Sequence, residues 1–292
     1  MQADGIYVDA TLGAGGHAAR IAERLKTGRL FGIDRDPEAL MRAELTLAPH
    51  KDKITLVRGD YREMDKLLAA IGKVDGVLFD LGVSSPQFDD PARGFSYRYD
   101  ARLDMRMDPD SPVSAYEVVN LWPVSELKRI LFSYGEEKYA PSIVASIDRS
   151  RQQQPIETTG QLAELIIKAV PPAARRSKGN PAKRSFQAIR MAVNEELDGI
   201  EAGITAAIRL LKPGGRLAVI SFHSVEDRAV KTVLRAAAHG CECPPKCPVC
   251  ICGRTPDIRP IFRKPVTPDA AELSHNRRAH SAKLRAAEKL SD

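Results

Sequence analysis

The sequence predicts an α/β protein, a mostly parallel sheet flanked by helices and interrupted by a long all-helical stretch. Three observations carry this. The β-branched and aromatic segment Ile6-Tyr7-Val8 runs into a glycine-rich turn, Asp9-Ala10-Thr11-Leu12-Gly13-Ala14-Gly15-Gly16-His17, and then into a helical pattern. That strand-then-helix rhythm repeats through residue 92, each strand ending in an acid. Helical spacing alone follows from 93 to 185, and strand patterning returns only in the last third.

In the first helix Ala19, Ile21, Ala22 and Leu25 share a face, and Gly28 marks its end. Leu30-Phe31-Gly32-Ile33 is a second strand closing on Asp34. Asp36-Pro37 supplies an N-cap and a first-turn proline for a helix through Leu40, Ala43 and Leu47. Ile54-Thr55-Leu56-Val57 is a third strand ending at Gly59-Asp60-Tyr61. A helix with Met64, Leu67, Leu68 and Ile71 stops at Gly72. Val77-Leu78-Phe79 is a fourth strand ending in Asp80.

Beyond Pro91, Ser114 with Glu117 forms a capping box ahead of Val118, Val119 and Leu121. Further helices are expected over Leu127–Leu131, Ile143–Ile147 and, after Thr158 with Gln161, Leu162–Ile166. A single long helix is expected from Phe186 through Ile189, Val193, Leu197 and Ile200 towards Leu211. Lys212-Pro213-Gly214-Gly215 then turns into a fifth strand, Leu217-Ala218-Val219-Ile220, with Ser221-Phe222-His223-Ser224 at its end. Ser224 with Asp227 is expected to cap the next helix. Segments around Ile258–Phe262 and Ala282–Ala286 complete the sheet antiparallel at its edge. The expected organisation is a core from 1–92 and 186–292, with an inserted helical domain at 93–185.

At 292 residues the chain is long enough for one large α/β domain plus an insertion, and 43% hydrophobic residues is ordinary for a globular protein. No apolar run is long enough to span a bilayer and no signal-peptide pattern precedes the first strand, so a cytoplasmic protein is expected. The excess of 44 Lys and Arg over 38 Asp and Glu is modest. Its distribution matters more: Arg175, Arg176, Lys178, Lys183 and Arg184 crowd one stretch, and Arg277, Arg278, Lys283 and Arg285 another. Such clusters suit a phosphate backbone, and equally a solvated charged face.

The ligand of the glycine turn follows from its acids. Gly13-x-Gly15-x-x-Ala18, with Asp34 downstream, fits a dinucleotide fingerprint. Asp9 argues against it, because a carboxylate before the first glycine repels a pyrophosphate. The same carboxylate would pair with the ammonium group of S-adenosylmethionine, whose methionine part would pass Gly15-Gly16-His17. Asp34 is then placed to take the ribose hydroxyls, and Asp60-Tyr61 to meet the adenine. Asp80 lies where the sulfonium and the acceptor meet. Each acid taken singly also reads as a helix N-cap.

These motifs together resemble the ribosomal RNA small subunit methyltransferase H family. The resemblance rests on residues 9–17, Asp80-Leu81-Gly82-Val83-Ser84-Ser85-Pro86-Gln87 and Arg93-Gly94-Phe95-Ser96. It extends through Leu103-Asp104-Met105-Arg106-Met107-Asp108, Tyr134-Gly135-Glu136-Glu137, Phe186-Gln187-Ala188-Ile189-Arg190 and Ser221-Phe222-His223-Ser224. It implies a Rossmann-like, S-adenosylmethionine-dependent methyltransferase core with a helical insertion. The implied reaction is methylation of the exocyclic N4 of a 16S rRNA cytidine in the decoding region, at the P site, within the small ribosomal subunit. By motif match, Gly15, Gly16, His17, Asp34, Tyr61, Asp80 and Gln87 line the cofactor site, alongside Asp9 and Gly13 from the turn. The family usually has about one more helix before its first strand; this chain opens at Met1-Gln2-Ala3-Asp4, which raises a shortened start as one reading. Ala101-Arg102 stands where a Gly-Pro pair is usual, Arg277 where proline is, and His280 where arginine is.

A cytosine N4 amine is a weak nucleophile because its lone pair is delocalised into the ring. Acceptors that hold its N–H groups, with an in-line methyl, supply what it lacks. Asp80 and the carbonyls after it are the candidate acceptors. His223 is a candidate to orient the base or take the released proton, or else simply the cap of the next helix. Cys241, Cys243, Cys247, Cys250 and Cys252 crowd one segment, a clustering that favours metal over disulfides in the cytosol. Their spacing is not the usual zinc pattern and the resemblance implies no metal, so none is assigned. Two other classes of function are open: a non-catalytic RNA-binding or assembly protein that keeps the fold, and an NAD-dependent oxidoreductase, which Asp9 disfavours. Oligomeric state is open too, a homodimer included.

Overall fold

The computed structural model describes residues 1–175, 179–239, 243, 249 and 251–290. It divides into a unit formed by Met1–Gly82 with Leu197–Asp292 and a second formed by Val83–Glu196.

The first unit opens with β1 (Ile6–Asp9), α1 (Gly16–Arg24), β2 (Arg29–Asp34), α2 (Pro37–Leu47), β3 (Ile54–Arg58), α3 (Met64–Leu67) and β4 (Val74–Asp80). The expected caps form: Asp36 accepts from the Glu38 N–H, with Pro37 in the first turn of α2. The helix expected over 64–71 is a single turn followed by a 3-10 segment, Ala69–Ile71, ended by Gly72 at φ +71°.

The second unit holds α4 (Ser85–Asp89), α5 (Ala115–Leu121), α6 (Val124–Ser133), α7 (Ala140–Arg151), α8 (Thr159–Ala169), α9 (Pro172–Arg175) and α10 (Ala182–Val193). Capping boxes close on Ser84 with Gln87, Ser114 with Glu117 and Thr158 with Gln161. Its core joins Leu127, Ile130, Ile143, Ile147, Leu162 and Ile166 to Phe186 and Ile189 of α10. α10 spends its apolar face there, within the unit that runs from Val83 to Glu196.

The single long helix expected from Phe186 to Leu211 is two helices. α10 ends at Asn194 and Glu195 takes a left-handed conformation, φ +49°, before α11 (Glu196–Leu210) begins. Within the second unit the Asn194 side chain donates to the carbonyls of Met105 (2.7 Å) and Arg190 (2.9 Å). It also accepts from the Met107 N–H (2.8 Å). Asn194→Ala strands buried backbone groups of the 105–107 segment, and should lower the unfolding free energy by roughly 2–3 kcal/mol in urea denaturation.

The chain returns to the first unit with β5 (Leu211–Ser221), α12 (Ser224–His239), β6 (Ile258–Pro260), α13 (Ala270–His275) and β7 (Lys283–Lys289). In β5, Leu211 pairs with Val74 and Arg216 with Gly76, so Lys212–Gly215 bulges out as the expected turn. The sheet order is β3-β2-β1-β4-β5-β7-β6. β1 to β5 are parallel, while β7 runs antiparallel to β5 and β6 antiparallel to β7. Side chains alternate between two cores. Tyr7, Leu12, Leu30 and Leu47 share one with Ala18 and Ala22 of α1; Val8, Ile33, Phe79 and Val219 share the other with Ile200 and Ile204 of α11. A mostly parallel sheet with helices on both faces is the Rossmann-like arrangement, whose ligands sit at the strands' carboxyl ends where the order reverses. Here that point lies between β1 and β4.

Candidate active site

At the switch point the glycine turn is fastened by backbone hydrogen bonds. The Ala10 N–H donates to Leu78 O (2.8 Å), Leu12 N–H to Ile33 O (3.0 Å) and Gly15 N–H to Leu12 O (2.9 Å). Gly13 and Gly15 have φ +52° and +83°, which a side chain would strain. Gly15 is the N-cap residue of α1 and makes no side-chain cap, so the first N–H groups of α1 are left for a ligand. A Cβ on Gly16 would meet nothing within 4 Å: the backbone there borders open space.

Two acids stand at the adjacent strand ends. Asp9, 1% exposed, accepts the Thr11 N–H on Oδ1 at 3.2 Å, while its buried Oδ2 has no hydrogen-bond partner among the described residues. Burial pushes its pKa from 3.8 up to about 7, against the Thr11 hydrogen bond and the His17 charge; Asp80 and Asp34 add to the rise. Asp80 is held by its own N–H, which donates to Thr11 Oγ1 at 2.6 Å. Its Oδ2 lies 3.4 Å from His17 Nε2, and its buried Oδ1 has no partner among the described residues. The hydrogen bond to Asp80 raises the His17 pKa, opposed by partial burial. Buried carboxylate oxygens are expensive to leave unpaired, so two of them at one strand edge mark positions that a ligand completes.

Asp34 also holds the local backbone. One oxygen accepts the Gly13 N–H (2.8 Å) and the other the Asp36 N–H (2.9 Å), so it fastens the glycine turn to β2. Burial raises its pKa, against those two hydrogen bonds. Each oxygen keeps a second lone pair for a ribose hydroxyl. Asp60 caps the turn after β3, accepting the Arg62 N–H at 2.8 Å, and pairs with the guanidinium groups of Arg62 (2.8 Å) and Arg35 (3.7 Å). Tyr61 meets Phe79 edge-on, with centroids 5.5 Å apart, and its ring lies so close over Gly203 of α11 that a Cβ there would overlap it.

His223 caps α12. Its carbonyl accepts the Asp227 N–H (3.0 Å) and its Nδ1 accepts the Glu226 N–H (3.3 Å). The helix begins at Ser224, so the cap falls on His223 and not on the expected Ser224. Nε2 lies 3.0 Å from Glu226 Oε1 without hydrogen-bond geometry. Glu226, 1% exposed and missed from the sequence, also accepts the Phe222 N–H at 2.8 Å, tying the β5 end to α12. An acid three residues after His223, in a first helical turn, was the available signal. Thr11 was missed too. The strand-end geometry is that of the first unit alone; Gln87, in the second, accepts the Ser84 N–H (3.0 Å) to close its capping box.

Four of the nine basic side chains expected at RNA are tied down within the protein. Arg285 and Lys283 hold the Asp227 carboxylate at 2.7–3.1 Å, keeping its pKa below the ordinary value against burial. Arg175 donates to the carbonyls of Val170 and Lys168, and Arg184 to that of Glu136. Arg176 and Lys178 lie outside the described residues, as do Cys241, Cys247 and Cys250, so the cysteine cluster as a whole is not described.

Comparison with known proteins adds the family. The MraW methylase family matches residues 1–290. The chain belongs to that family. It is 51% identical over 293 residues to the ribosomal RNA small subunit methyltransferase H of Carboxydothermus hydrogenoformans, covering 100% of this chain and 94% of that one. It is 50% identical to the protein of the same name from Paenibacillus sp. (strain JDR-2), covering 98% and 93%. Among solved structures, an rRNA methylase from Streptococcus thermophilus aligns over 100% of this chain and 90% of that one, at 12% identity and TM-score 0.44. Among the described residues no helix is long and apolar enough to cross a membrane.

Proposed function

We propose that this member of the methylase family methylates the exocyclic N4 of a cytidine in the decoding region of 16S rRNA, within the small ribosomal subunit and in the cytoplasm. The coarser statement, an rRNA methyltransferase, has the support of the family and its relatives. The methyl donor is S-adenosylmethionine, which when bound supplies a methyl group on a sulfonium for in-line transfer. The observation that carries the finer reading is the pair of buried, unpaired oxygens, Asp9 Oδ2 and Asp80 Oδ1, at the ends of adjacent strands. Asp9 suits the ammonium of the methionine part, which passes Gly13, Gly15, Gly16 and His17. Asp34 suits the ribose, and Tyr61 and Gln87 complete the cofactor side in this reading.

Asp80 Oδ1 accepts an N–H of the target amine and favours the pyramidal nitrogen that attacks the methyl carbon. Asp80 would take the N4 proton released as the amine accepts the methyl group, the donor leaving as its neutral thioether. His17, half-exposed beside Asp80, links that carboxylate to solvent. His223, with Nδ1 spent on the α12 cap, acts as a positioning residue for the Phe222–Glu226 segment rather than as the first proton acceptor.

Incubation with S-adenosylmethionine and small subunits, followed by nucleoside mass spectrometry, should give N4-methylcytidine. A C5-methylated or 2′-O-methylated product overturns the N4 assignment. Asp34→Ala should weaken S-adenosylmethionine binding by roughly 1–3 kcal/mol in calorimetric titration, the cost of charge-assisted hydrogen bonds to a ligand and of a loosened Gly13. Unchanged affinity in a folded variant removes Asp34 from the site.

A further inference from the structure

The far edge of the sheet carries a loop that the reaction does not explain. β6 pairs in regular antiparallel register with β7 from Ile258 opposite Lys289 to Pro260 opposite Ala287, and the Ile261 N–H continues the ladder to Ala286 O at 2.9 Å. Pairing resumes at Val266, which exchanges both backbone hydrogen bonds with Leu284 at 2.9 Å. Between these anchors one residue of β7, Arg285, faces four: Phe262, Arg263, Lys264 and Pro265. The four residues therefore loop out of the ladder while both ends stay fastened to it.

What the loop displays is unusual for such a place. Phe262 is 47% exposed and Arg263 and Lys264 are exposed. Neither cation makes an ion pair among the described residues, in contrast to Lys283 and Arg285 beside them, which are spent on Asp227. Protection of an exposed sheet edge explains a bulge, a proline and two cations. It does not explain a phenylalanine held out in water, because an exposed aromatic at a sheet edge promotes the pairing that the other three prevent.

The register places this loop near the chemistry. Val266 lies opposite Leu284, Leu284 opposite Ile220, and Ile220 opposite Asp80. All four belong to the first unit and form one row across the sheet. At about 4.8 Å per strand, the row puts the loop's anchor roughly 14 Å from the Asp80 backbone, level with the carboxyl end of β4. A single-stranded nucleic acid whose target base is at Asp80 extends over that distance within a few nucleotides. An aromatic face flanked by unpaired cations is the elementary device for holding such a strand, one ring for a base and two charges for phosphates.

We propose that Phe262–Pro265 is a stacking platform for single-stranded RNA flanking the methylated base, with Phe262 taking a base face and Arg263 and Lys264 neighbouring phosphates. The proposal rests on the rRNA reading above and names a contact which that reading does not contain. Rigid anchoring at Ile261 and Val266 means the platform is formed before RNA arrives.

The test uses the full chain and a short single-stranded RNA with the decoding-region sequence, with binding read by fluorescence anisotropy across a salt series. Phe262→Ala should weaken binding at least about fivefold, the low end of what one base stack contributes. Phe262→Trp should restore it, whereas Phe262→Leu, apolar but without a π-face, should not. Arg263→Ala with Lys264→Ala should lower the slope of log affinity against log salt by about 1.4, at roughly 0.7 per phosphate contact on a single strand. S-adenosylmethionine affinity should stay at the wild-type value in all of them, which also reports that the variants fold. Wild-type RNA affinity for Phe262→Ala, or full rescue by Phe262→Leu, overturns the platform. So does a defect seen only on assembled subunits and not on RNA, which indicates a protein contact instead. If the wild-type chain methylates rRNA and the variants bind RNA normally, only this inference fails. If the wild-type chain neither binds nor methylates rRNA, the parent reading fails with it.

Discussion

Asp80→Asn should lower the single-turnover rate of methyl transfer by about two to three orders of magnitude, the cost of losing one preorganised electrostatic contact at a reacting centre. The substitution keeps the side chain's size and leaves its backbone N–H on Thr11 Oγ1, so the strand end stays in place. What changes is the buried Oδ1, unpaired among the described residues, and the charge that faces His17 at 3.4 Å. An amide offers one acceptor where the carboxylate offered two, and turns a donor either to His17 or to the incoming amine. S-adenosylmethionine binding should change much less, because the positions assigned to its ammonium and ribose are on other strands. His17→Ala, which removes the route from Asp80 to solvent but not the acceptor, should cost less than Asp80→Asn. A single-turnover rate near wild type in a folded Asp80→Asn variant would move the acceptor role to the backbone carbonyls after β4.

The parts of this arrangement legible in the sequence are those that local chemistry dictates. Strand ends at Asp9, Asp34 and Asp80, the glycine turn, the Asp36-Pro37 start and the capping boxes at Ser114 and Thr158 are each determined within a few residues, while the third box, Ser84 with Gln87, went unread. The parallel pairing of the repeated strand–helix units and the antiparallel pairing of the last two strands were expected; the order β3-β2-β1-β4-β5-β7-β6 was not. What was hidden depends on partners distant in sequence. The apolar spacing Phe186, Ile189, Val193, Leu197, Ile200 runs unbroken across the Asn194–Glu195 break, so periodicity alone joins two helices that serve different cores. That Gly199 and Gly203, more than a hundred residues on, make room for the Tyr61 ring is likewise not readable from the local sequence. Lys283 and Arg285 read as an RNA patch because their partner, Asp227, lies on another element. His223 offered base and cap equally, and the cap is the role that its Nδ1 fills at the start of α12.

The Asp9→Asn variant should be more stable than the wild type at pH 8 and bind S-adenosylmethionine worse. Burial lifts the Asp9 pKa from 3.8 to about 7. Below pH 3.8 the acid is neutral both folded and unfolded, and folding bears no charge penalty. Between 3.8 and about 7 the unfolded chain ionises while the folded one resists, so stability falls as pH rises, and above about 7 the loss is complete. A rise of that size corresponds to roughly 4 kcal/mol. Asparagine stays neutral throughout, so its stability relative to wild type should climb across that window and level off above pH 7. Cofactor affinity should move the other way, because only the ionised carboxylate pairs with an ammonium group. The wild-type affinity should fall about tenfold per pH unit below 7, as Asp9 takes up a proton. It should fall again above about pH 8, where a free α-amino group loses its own. The variant should lose the acid limb and keep the alkaline one. Urea denaturation and calorimetric titration of S-adenosylmethionine from pH 5 to 9 read both curves. A wild-type affinity that stays level from pH 8 to pH 6 would exclude the Asp9–ammonium pair, whatever the stability curve shows.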